Sequence, residues 1–249
     1  MSVLKKLLKK SIKRNCRKTK NLGFIVQSLT VGDTLFSHFA HRKKIPASNI
    51  KILTSIASFY HLRPEYHFVT DVYSVSPLSN GVVRGNIFLK GYGDPVFLQE
   101  NIKELVNKLK LKGVKKIVGD IVVDESFFDT KRFGTGWKKN KNLKTYMVPS
   151  GALSLNFNSV LISVDPEKRN NLDAPKIRID PYTEVIKIKS KIKKDRSTKR
   201  AKLTFQKVFS KNKKDIFLIK GKISRKGKII NKRLPITYPS FYTAGVFVS

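Results

Sequence analysis

The sequence contains little that could build a disulfide, a metal site or a membrane span. Cys16 is the only cysteine in 249 residues, which excludes an internal disulfide and argues against a thiolate metal cluster. No run of residues reaches the ~18 apolar residues that a transmembrane helix needs. The histidines lack the spacing of zinc ligands, so we expect no metal and no cofactor; they are His38, His41, His61 and His67.

Acidic residues are also scarce. The chain has 17 Asp and Glu against 52 Lys and Arg, a formal net charge of +35. Such a charge predicts a polyanionic partner, yet lysine greatly outnumbers arginine, lysines occur in nearly every segment, and no nucleic-acid recognition motif is present. We therefore expect no specific nucleic-acid partner. A lysine-biased genome and an anionic cell wall both stay open as explanations, and a non-catalytic basic module that binds a polyanion is the alternative function.

Apolar periodicity predicts three helices, over residues 3–13, Ser48–Leu62 and 98–112. The first is basic and amphipathic, with Val3, Leu4 and Leu7 among its lysines. A membrane-surface or targeting helix is one interpretation of it, and a helix packed on its own domain is the interpretation that we favour. No secretory hydrophobic segment is visible near the start of the sequence.

Strand patterns fill most of the remainder, so the predicted fold class is α+β. Hairpins are expected at 22–38, around Gly32-Asp33, and at 67–92, around Asn80-Gly81. A single strand is expected from Val114 to Val123. After Asn158 the apolar and basic residues alternate as in a sheet with one wet face, which predicts strands at Val160–Val164, Val185–Ile192, Leu203–Phe209, Ile216–Ile223 and Ile229–Leu234.

Ser48 and Lys51 are the candidate catalytic pair. Pro46 cannot lie inside a helix, so the helix is expected to begin near Ser48, with Lys51 one turn later on the same face. A hydroxyl beside an amine at a helix N-terminus provides the parts of a Ser/Lys acyl-transfer nucleophile. The spacing alone is weak, because lysine is abundant; a helix cap followed by a solvated lysine is the simpler explanation. We expect this helix to be buried.

The surroundings of Ser48 resemble the active-site region of the penicillin-binding proteins, specifically the D-Ala-D-Ala carboxypeptidase C family (class C, low molecular mass). The resemblance continues in order along most of the chain. Its segments are Leu22-Gly23-Phe24-Ile25-Val26, Pro46-Ala47-Ser48, Gly91-Tyr92-Gly93-Asp94-Pro95, Gly119-Asp120-Ile121-Val122-Val123-Asp124, Pro149-Ser150-Gly151-Ala152-Leu153-Ser154-Leu155-Asn156 and Tyr238-Pro239-Ser240-Phe241-Tyr242.

The resemblance implies a serine β-lactamase/penicillin-binding-protein-like catalytic domain that is split by a β-rich inserted domain and is only partly present. The implied divisions are 1–70 for the start of the catalytic domain, 71–160 with 218–234 for the inserted domain, 161–217 for a nested β-rich module, and 235–249 for the resumed catalytic domain. A location in the periplasm or cell envelope is implied as well.

The resemblance also implies the roles of individual residues. Ser48 would form the acyl-enzyme and Lys51 would exchange its proton, with a peptidoglycan stem peptide as substrate and a β-lactam as acylating inhibitor. Asp124 and Phe128 would help bind the amine-bearing side chain of the stem peptide; a strand-end turn is the alternative for that pair. The family's Lys-Thr-Gly motif occurs nowhere in these residues. We expect Ser154-x-Asn156 and Asp94 to be structural, and the 249 residues alone to be inactive.

Overall fold

A computed structural model gives the architecture of the chain. It divides into two compact units, Met1–Tyr66 and His67–Ser249. The described residues are 2–16, 22–137, 143–166, 174–195, 201–209, 212–224 and 227–249. Parts of the predicted nested module therefore lie outside the described residues, namely 167–173, 196–200 and 210–211.

The first unit contains two helices and one hairpin, all at predicted places. Its elements are α1 (Ser2–Asn15), β1 (Phe24–Gln27), β2 (Thr34–His38) and α2 (Ile50–Leu62). Strands β1 and β2 pair antiparallel, and Phe24 stacks on the buried Phe36 with ring centroids 5.4 Å apart. Helix α1 buries Ile12, whereas Val3, Leu4 and Leu7 are exposed.

The second unit begins with short strands around one crossover helix. The elements are β3 (Thr70–Ser74), β4 (Leu78–Ser79), β5 (Val82–Val83), β6 (Ile87–Gly91), α3 (Gln99–Leu111), β7 (Lys116–Ile117) and β8 (Ile121–Asp124). Helix α3 connects the parallel strands β6 and β8, and β3 pairs antiparallel with β6. The turn between β4 and β5 has positive φ at Asn80 and Gly81, as an Asn-Gly hairpin requires.

The prediction of one continuous strand from Val114 to Val123 was wrong. The segment forms β7 and β8, which belong to different sheets, with Gly119 between them. A Cβ on Gly119 would collide with the backbone of Gly85, so the two backbones approach too closely for any larger residue. This close approach interrupts the strand, and the apolar pattern on either side of Gly119 did not reveal it.

The later half of the second unit is rich in strands. They are β9 (Ser159–Asp165), β10 (Lys176–Asp180), β11 (Ile186–Asp195), β12 (Lys202–Phe209), β13 (Asp215–Ser224) and β14 (Ile230–Pro235). They form two three-stranded sheets, in the orders β10-β9-β14 and β11-β13-β12. All five strands predicted after Asn158 are confirmed. Strand β10 was not predicted, because it offers only two apolar residues, Ile177 and Ile179.

The last element, α4 (Pro239–Phe247), is buried against the rest of the second unit. It contacts α3 and β8. One hydrophobic core joins Leu89 of β6, Ile102 of α3, Val160 of β9, Phe217 of β13 and Tyr242 of α4. The observed architecture is thus α+β, as predicted, and α4 packs within the second unit, although the sequence assigned 235–249 to a resumed catalytic domain.

Candidate active site

The backbone places Ser48 at the beginning of a continuous helical stretch. Ala47 to Asn49 form a 3₁₀ turn that leads directly into α2, with Asn49 N donating to Pro46 O at 2.9 Å. Ala47 has a φ of 45°, in the left-handed region that residues other than glycine rarely adopt. Such backbone conformations are concentrated at active sites and ligand clamps. The turn therefore marks a local departure from ordinary backbone conformation just before Ser48.

Lys51 lies on the same face of the helical stretch as Ser48. The two are three residues apart, and the intervening Asn49 and Ile50 have right-handed helical φ and ψ. Residues at that spacing are neighbours on a helix surface. Both side chains are exposed. The predicted juxtaposition at a helix N-terminus is thus compatible with the backbone, while the catalytic roles of Ser48 and Lys51 stay predictions.

The expectation that this helix is buried was wrong. Helix α2 has no buried residue, and its large apolar side chains lie open. The exposed ones are Ile50, Ile52, Leu53, Ile56, Phe59, Tyr60 and Leu62. An apolar stripe identifies the face that a helix would bury, but burial needs a second surface, and the described residues do not cover this one.

Asp124 and Phe128 lie near each other at the end of β8. Asp124 Oδ2 is 3.2 Å from Lys90 Nζ, and Asp124 Oδ1 accepts a 2.8 Å hydrogen bond from Ser126 N. The hydrogen bonds from Ser126, supported by Lys90, lower the pKa of Asp124. Phe128 packs over Gly93, where any Cβ would touch its ring. Asp124 therefore forms a strand-end turn and an ion pair in this structure.

Three further residues complete this cluster, and the sequence did not single them out as a site. Tyr92 Oη donates to Asp71 Oδ2 at 2.9 Å, which raises the pKa of Tyr92. The Lys90 ammonium lies 5.5 Å from the centre of the Tyr92 ring, and its hydrogen bond to Asp124 raises the pKa of Lys90. Register explains the grouping, since Asp71, Lys90 and Asp124 are direct partners across β3, β6 and β8. Only strand pairing reveals that alignment.

The two expectations of structural roles agree with the contacts. Ser154 Oγ donates to Gly151 O at 3.0 Å, and Asn156 Oδ1 accepts from Gln99 N at 3.1 Å. Asp94 Oδ1 accepts from Val96 N at 2.9 Å, an Asx turn. These bonds hold loops of the second unit in place. Both polar side chains of the Ser-x-Asn pattern therefore form hydrogen bonds within the second unit.

The described part of the chain offers neither a metal cluster nor a membrane-spanning helix. No group of three or more His, Cys, Asp or Glu side chains there is arranged to hold a metal ion. None of the described helices has the length and apolar character needed to cross a membrane.

Comparison with known proteins supports the resemblance. The model of the D-Ala-D-Ala carboxypeptidase 3 (S13) family matches residues 4–248. The D-alanyl-D-alanine carboxypeptidase DacB of Haemophilus influenzae is 28% identical over 148 residues, 59% of this chain and 31% of the relative. A D-alanyl-D-alanine carboxypeptidase of Actinomadura is 28% identical over 134 residues, 53% of this chain and 25% of the relative. The matched regions thus make up about a third or less of these relatives.

Solved structures give the same result for the fold. The crystal structure of penicillin binding protein 4 (dacB) from Haemophilus influenzae matches with a TM-score of 0.71 at 23% identity, over 91% of this chain and 49% of that one. The same protein complexed with a novel β-lactam matches with a TM-score of 0.63 at 22% identity, over 90% of this chain and 47% of that one. With the family model matching nearly the whole length, this chain belongs to the D-Ala-D-Ala carboxypeptidase 3 (S13) family.

Proposed function

We propose that the chain carries the nucleophile of a serine D-Ala-D-Ala carboxypeptidase or endopeptidase that acts on peptidoglycan through an acyl-enzyme. The observation that carries the proposal is the position of Ser48, at the start of a helix and one turn from Lys51, in a chain of this family. Both matched relatives are named as D-alanyl-D-alanine carboxypeptidases. Action in the periplasm or cell envelope follows from such a substrate.

In the proposed reaction, Ser48 Oγ attacks the carbonyl carbon between the two D-alanines of a stem peptide. The serine proton passes to Lys51, the C–N bond breaks, and the departing amine of D-alanine takes a proton. Water then hydrolyses the ester and releases Ser48. The Ser48 backbone N–H, at the N-terminal end of the helical stretch, is suited to donate to the developing oxyanion. A β-lactam would form the equivalent ester with Ser48.

We propose further that these 249 residues contain only part of the catalytic site. A lysine ordinarily has a pKa of about 10.4, so a lysine base needs burial or nearby positive charge to be neutral near pH 7. Ser48 and Lys51 are both exposed. The sequence also has no Lys-Thr-Gly motif, which in this family would line the substrate cleft. We therefore propose that the 249 residues by themselves turn over little or no substrate.

Asp124 and Phe128 are proposed as part of the contact for the amine-bearing side chain of the stem peptide. The carboxylate already holds one ammonium group, that of Lys90 at 3.2 Å, and the Phe128 ring packs over Gly93. A substrate amine would take the place of Lys90 or share the carboxylate with it. Tyr92 and Phe127, with ring centroids 5.4 Å apart, extend the apolar side of the same contact.

For the domains, we propose that 1–70 begins the catalytic domain, that 71–160 and 218–234 form the inserted domain, and that 161–217 is nested in it. Residues 235–249 are proposed as the start of the resumed catalytic domain, which would adjoin the inserted domain where α4 packs on α3 and β8. The shared core of β6, α3, β9 and β13 supports one folding unit for the inserted and nested parts.

A fusion tests the nucleophile. Residues 1–249 are joined to the part of Haemophilus influenzae DacB that follows its matching region, and the product is incubated with a fluorescent penicillin and a D-Ala-D-Ala peptide. We expect covalent labelling and D-alanine release, both abolished by Ser48→Ala and strongly reduced by Lys51→Gln. Ser154→Ala is the matched control and retains both. Labelling that survives Ser48→Ala would overturn the assignment.

A further inference from the structure

The sheet β11-β13-β12 has one strongly basic face. Side chains alternate between the two faces of a strand, and register partners share a face. By that rule one face carries seven exposed lysines, which are Lys187, Lys189, Lys191, Lys193, Lys202, Lys220 and Lys222. We call these seven residues the lysine face. The opposite face belongs to the core, with Ile186, Ile192, Phe217, Ile219 and Ile223.

Register concentrates this charge in rows across the sheet. Lys191 is paired with Lys220, and Lys222 is paired with both Lys193 and Lys202. The sequence suggested that lysines were dispersed, because these residues come from three separated segments. Like charges directly opposite each other destabilise a sheet. The fold therefore bears a local electrostatic cost on this face.

Acidic side chains neutralise little of the positive charge on the lysine face. Asp195 lies on the same side and holds Lys222 Nζ at 3.0 Å. The other sheet, β10-β9-β14, shows how basic residues can be balanced, since its exposed face pairs Lys176 with Asp165 in register and has Arg178 Nη1 3.5 Å from Asp165 Oδ2. Among the described residues of these three strands, seven lysines share the face with the one carboxylate of Asp195. The imbalance thus distinguishes this sheet from β10-β9-β14.

Protection of sheet edges does not account for the lysine face. Lysines on edge strands prevent edge-to-edge aggregation, and β11 and β12 are edge strands. However, Lys220 and Lys222 belong to β13, the central strand, where no edge needs protection. Lys222 lies between lysines on both neighbouring strands and Lys220 lies beside Lys191, an arrangement that is best explained by a counter-charge from outside the chain.

We propose that the lysine face binds the surface of a bilayer rich in anionic phospholipid. A sheet face and a headgroup layer are both flat, so lysines spread about 20 Å along β11 and about 10 Å across the sheet can approach one plane together. A linear polyanion would contact only one row of these lysines, whereas a planar surface would contact several rows together. Lysine suits diffuse attraction to headgroups, whereas bidentate phosphate recognition favours arginine. This binding does not depend on the acyl-transfer proposal.

The face lacks the features that favour nucleic acid. The remaining side chains on this side of the three strands are Thr204, Gln206, Val208, Ile216, Leu218, Ser224 and Asp195. None of these is aromatic, and stacking on aromatic side chains is what holds single-stranded nucleic acid. Duplex DNA is therefore the competing polyanion to include in the test.

The experiment compares two variants of equal charge. The face variant carries Lys187→Gln, Lys189→Gln, Lys191→Gln and Lys220→Gln, and the control carries Lys103→Gln, Lys110→Gln, Lys112→Gln and Lys116→Gln, which are also exposed. Full-length proteins are co-sedimented with vesicles of phosphatidylcholine, alone or mixed with phosphatidylglycerol. Circular dichroism and unfolding curves establish that both variants fold.

We expect the unsubstituted protein to bind only the vesicles that contain phosphatidylglycerol, less tightly as salt rises. The face variant should lose affinity on the order of several hundredfold, given roughly fivefold for each of its four lysines near an anionic surface. The control should lose far less. An equal loss in both variants would overturn the proposal, because net charge alone would then explain binding. Tighter binding to duplex DNA than to vesicles, lost in the face variant, would overturn lipid as the partner.

Discussion

Helices α2 and α4 differ in burial although their sequences are similar in kind. Pro46 precedes α2 and Pro239 begins α4, and each helix is rich in apolar residues. Tyr242 of α4 is 1% exposed, while Tyr60 of α2 is 80% exposed. The difference lies in what surrounds each helix, since α3 and β8 cover α4. Apolar content therefore identifies a surface that needs a partner, and tertiary structure decides whether the same chain provides it.

The largest effect on stability should come from removing a buried side chain of α4. Tyr242→Ala removes a ring from the core of the second unit and should lower the free energy of unfolding by about 3–5 kcal/mol. Tyr60→Ala, the matched change in α2, should alter it by no more than about 0.5 kcal/mol. Denaturant unfolding measures both. Equal losses in the two variants would show that α2 is packed as tightly as α4.

Removing Asp215, which binds Thr237 just before α4, should lower the stability of the protein by nearly as much. Asp215 accepts hydrogen bonds from Thr237 N at 2.7 Å and Thr237 Oγ1 at 2.6 Å, and lies 3.4 Å from Lys207 Nζ. Burial lowers the pKa of Lys207 despite this carboxylate. Asp215→Ala would leave that ammonium buried without its counter-charge, at a cost of about 3 kcal/mol.

Asp215→Ala is measured by the same unfolding curves, with Asp195→Ala as the control. Asp195 holds the exposed Lys222 at 3.0 Å, so its removal should cost at most about 1 kcal/mol. A loss of less than about 1 kcal/mol for Asp215→Ala would contradict an anchor at this position.

Alkaline pH should weaken the packing of α4 through Tyr242. Burial raises the pKa of Tyr242, so the folded state keeps its proton where the unfolded state loses it. Stability from this group is complete below pH 10 and is lost as pH rises above it, by about 1.4 kcal/mol per pH unit. The stability of Tyr242→Phe relative to the unsubstituted protein should therefore increase above pH 10. A difference that does not change with pH would contradict the buried, neutral phenol.

The exposed apolar residues of α2 should affect self-association of the protein more than its stability. Ile56 and Phe59 are exposed on α2, and contiguous exposed apolar surface favours self-association. Changing both to Gln should reduce aggregation, measured by light scattering, with a change in stability of roughly 0.5 kcal/mol or less. Leu111→Gln, an exposed leucine at the end of α3, is the control. Unchanged light scattering in the α2 variant would contradict self-association through α2.

Sequence reasoning located most elements and failed where distant contacts decide. It placed α2, α3 and five later strands, because apolar periodicity and the Asn80-Gly81 turn are local signals. It missed the break at Gly119, which depends on Gly85, and the openness of α2. The Asp71–Lys90–Asp124 alignment and the lysine face likewise depend on strand register, which pairs residues far apart in sequence.

The central proposal is that Ser48 and Lys51 are one part of a serine acyl-transfer site and that these 249 residues do not contain its other parts. The direct measurement is the rate of acylation by a fluorescent penicillin, for the 249-residue chain, its Ser48→Ala variant and complete DacB of Haemophilus influenzae. We predict labelling slower than that of the complete relative by at least about 100- to 1000-fold, because the Lys-Thr-Gly motif is missing and the loss of even one group that stabilises the transition state typically costs that much. Ser48-dependent labelling at the relative's rate would contradict it.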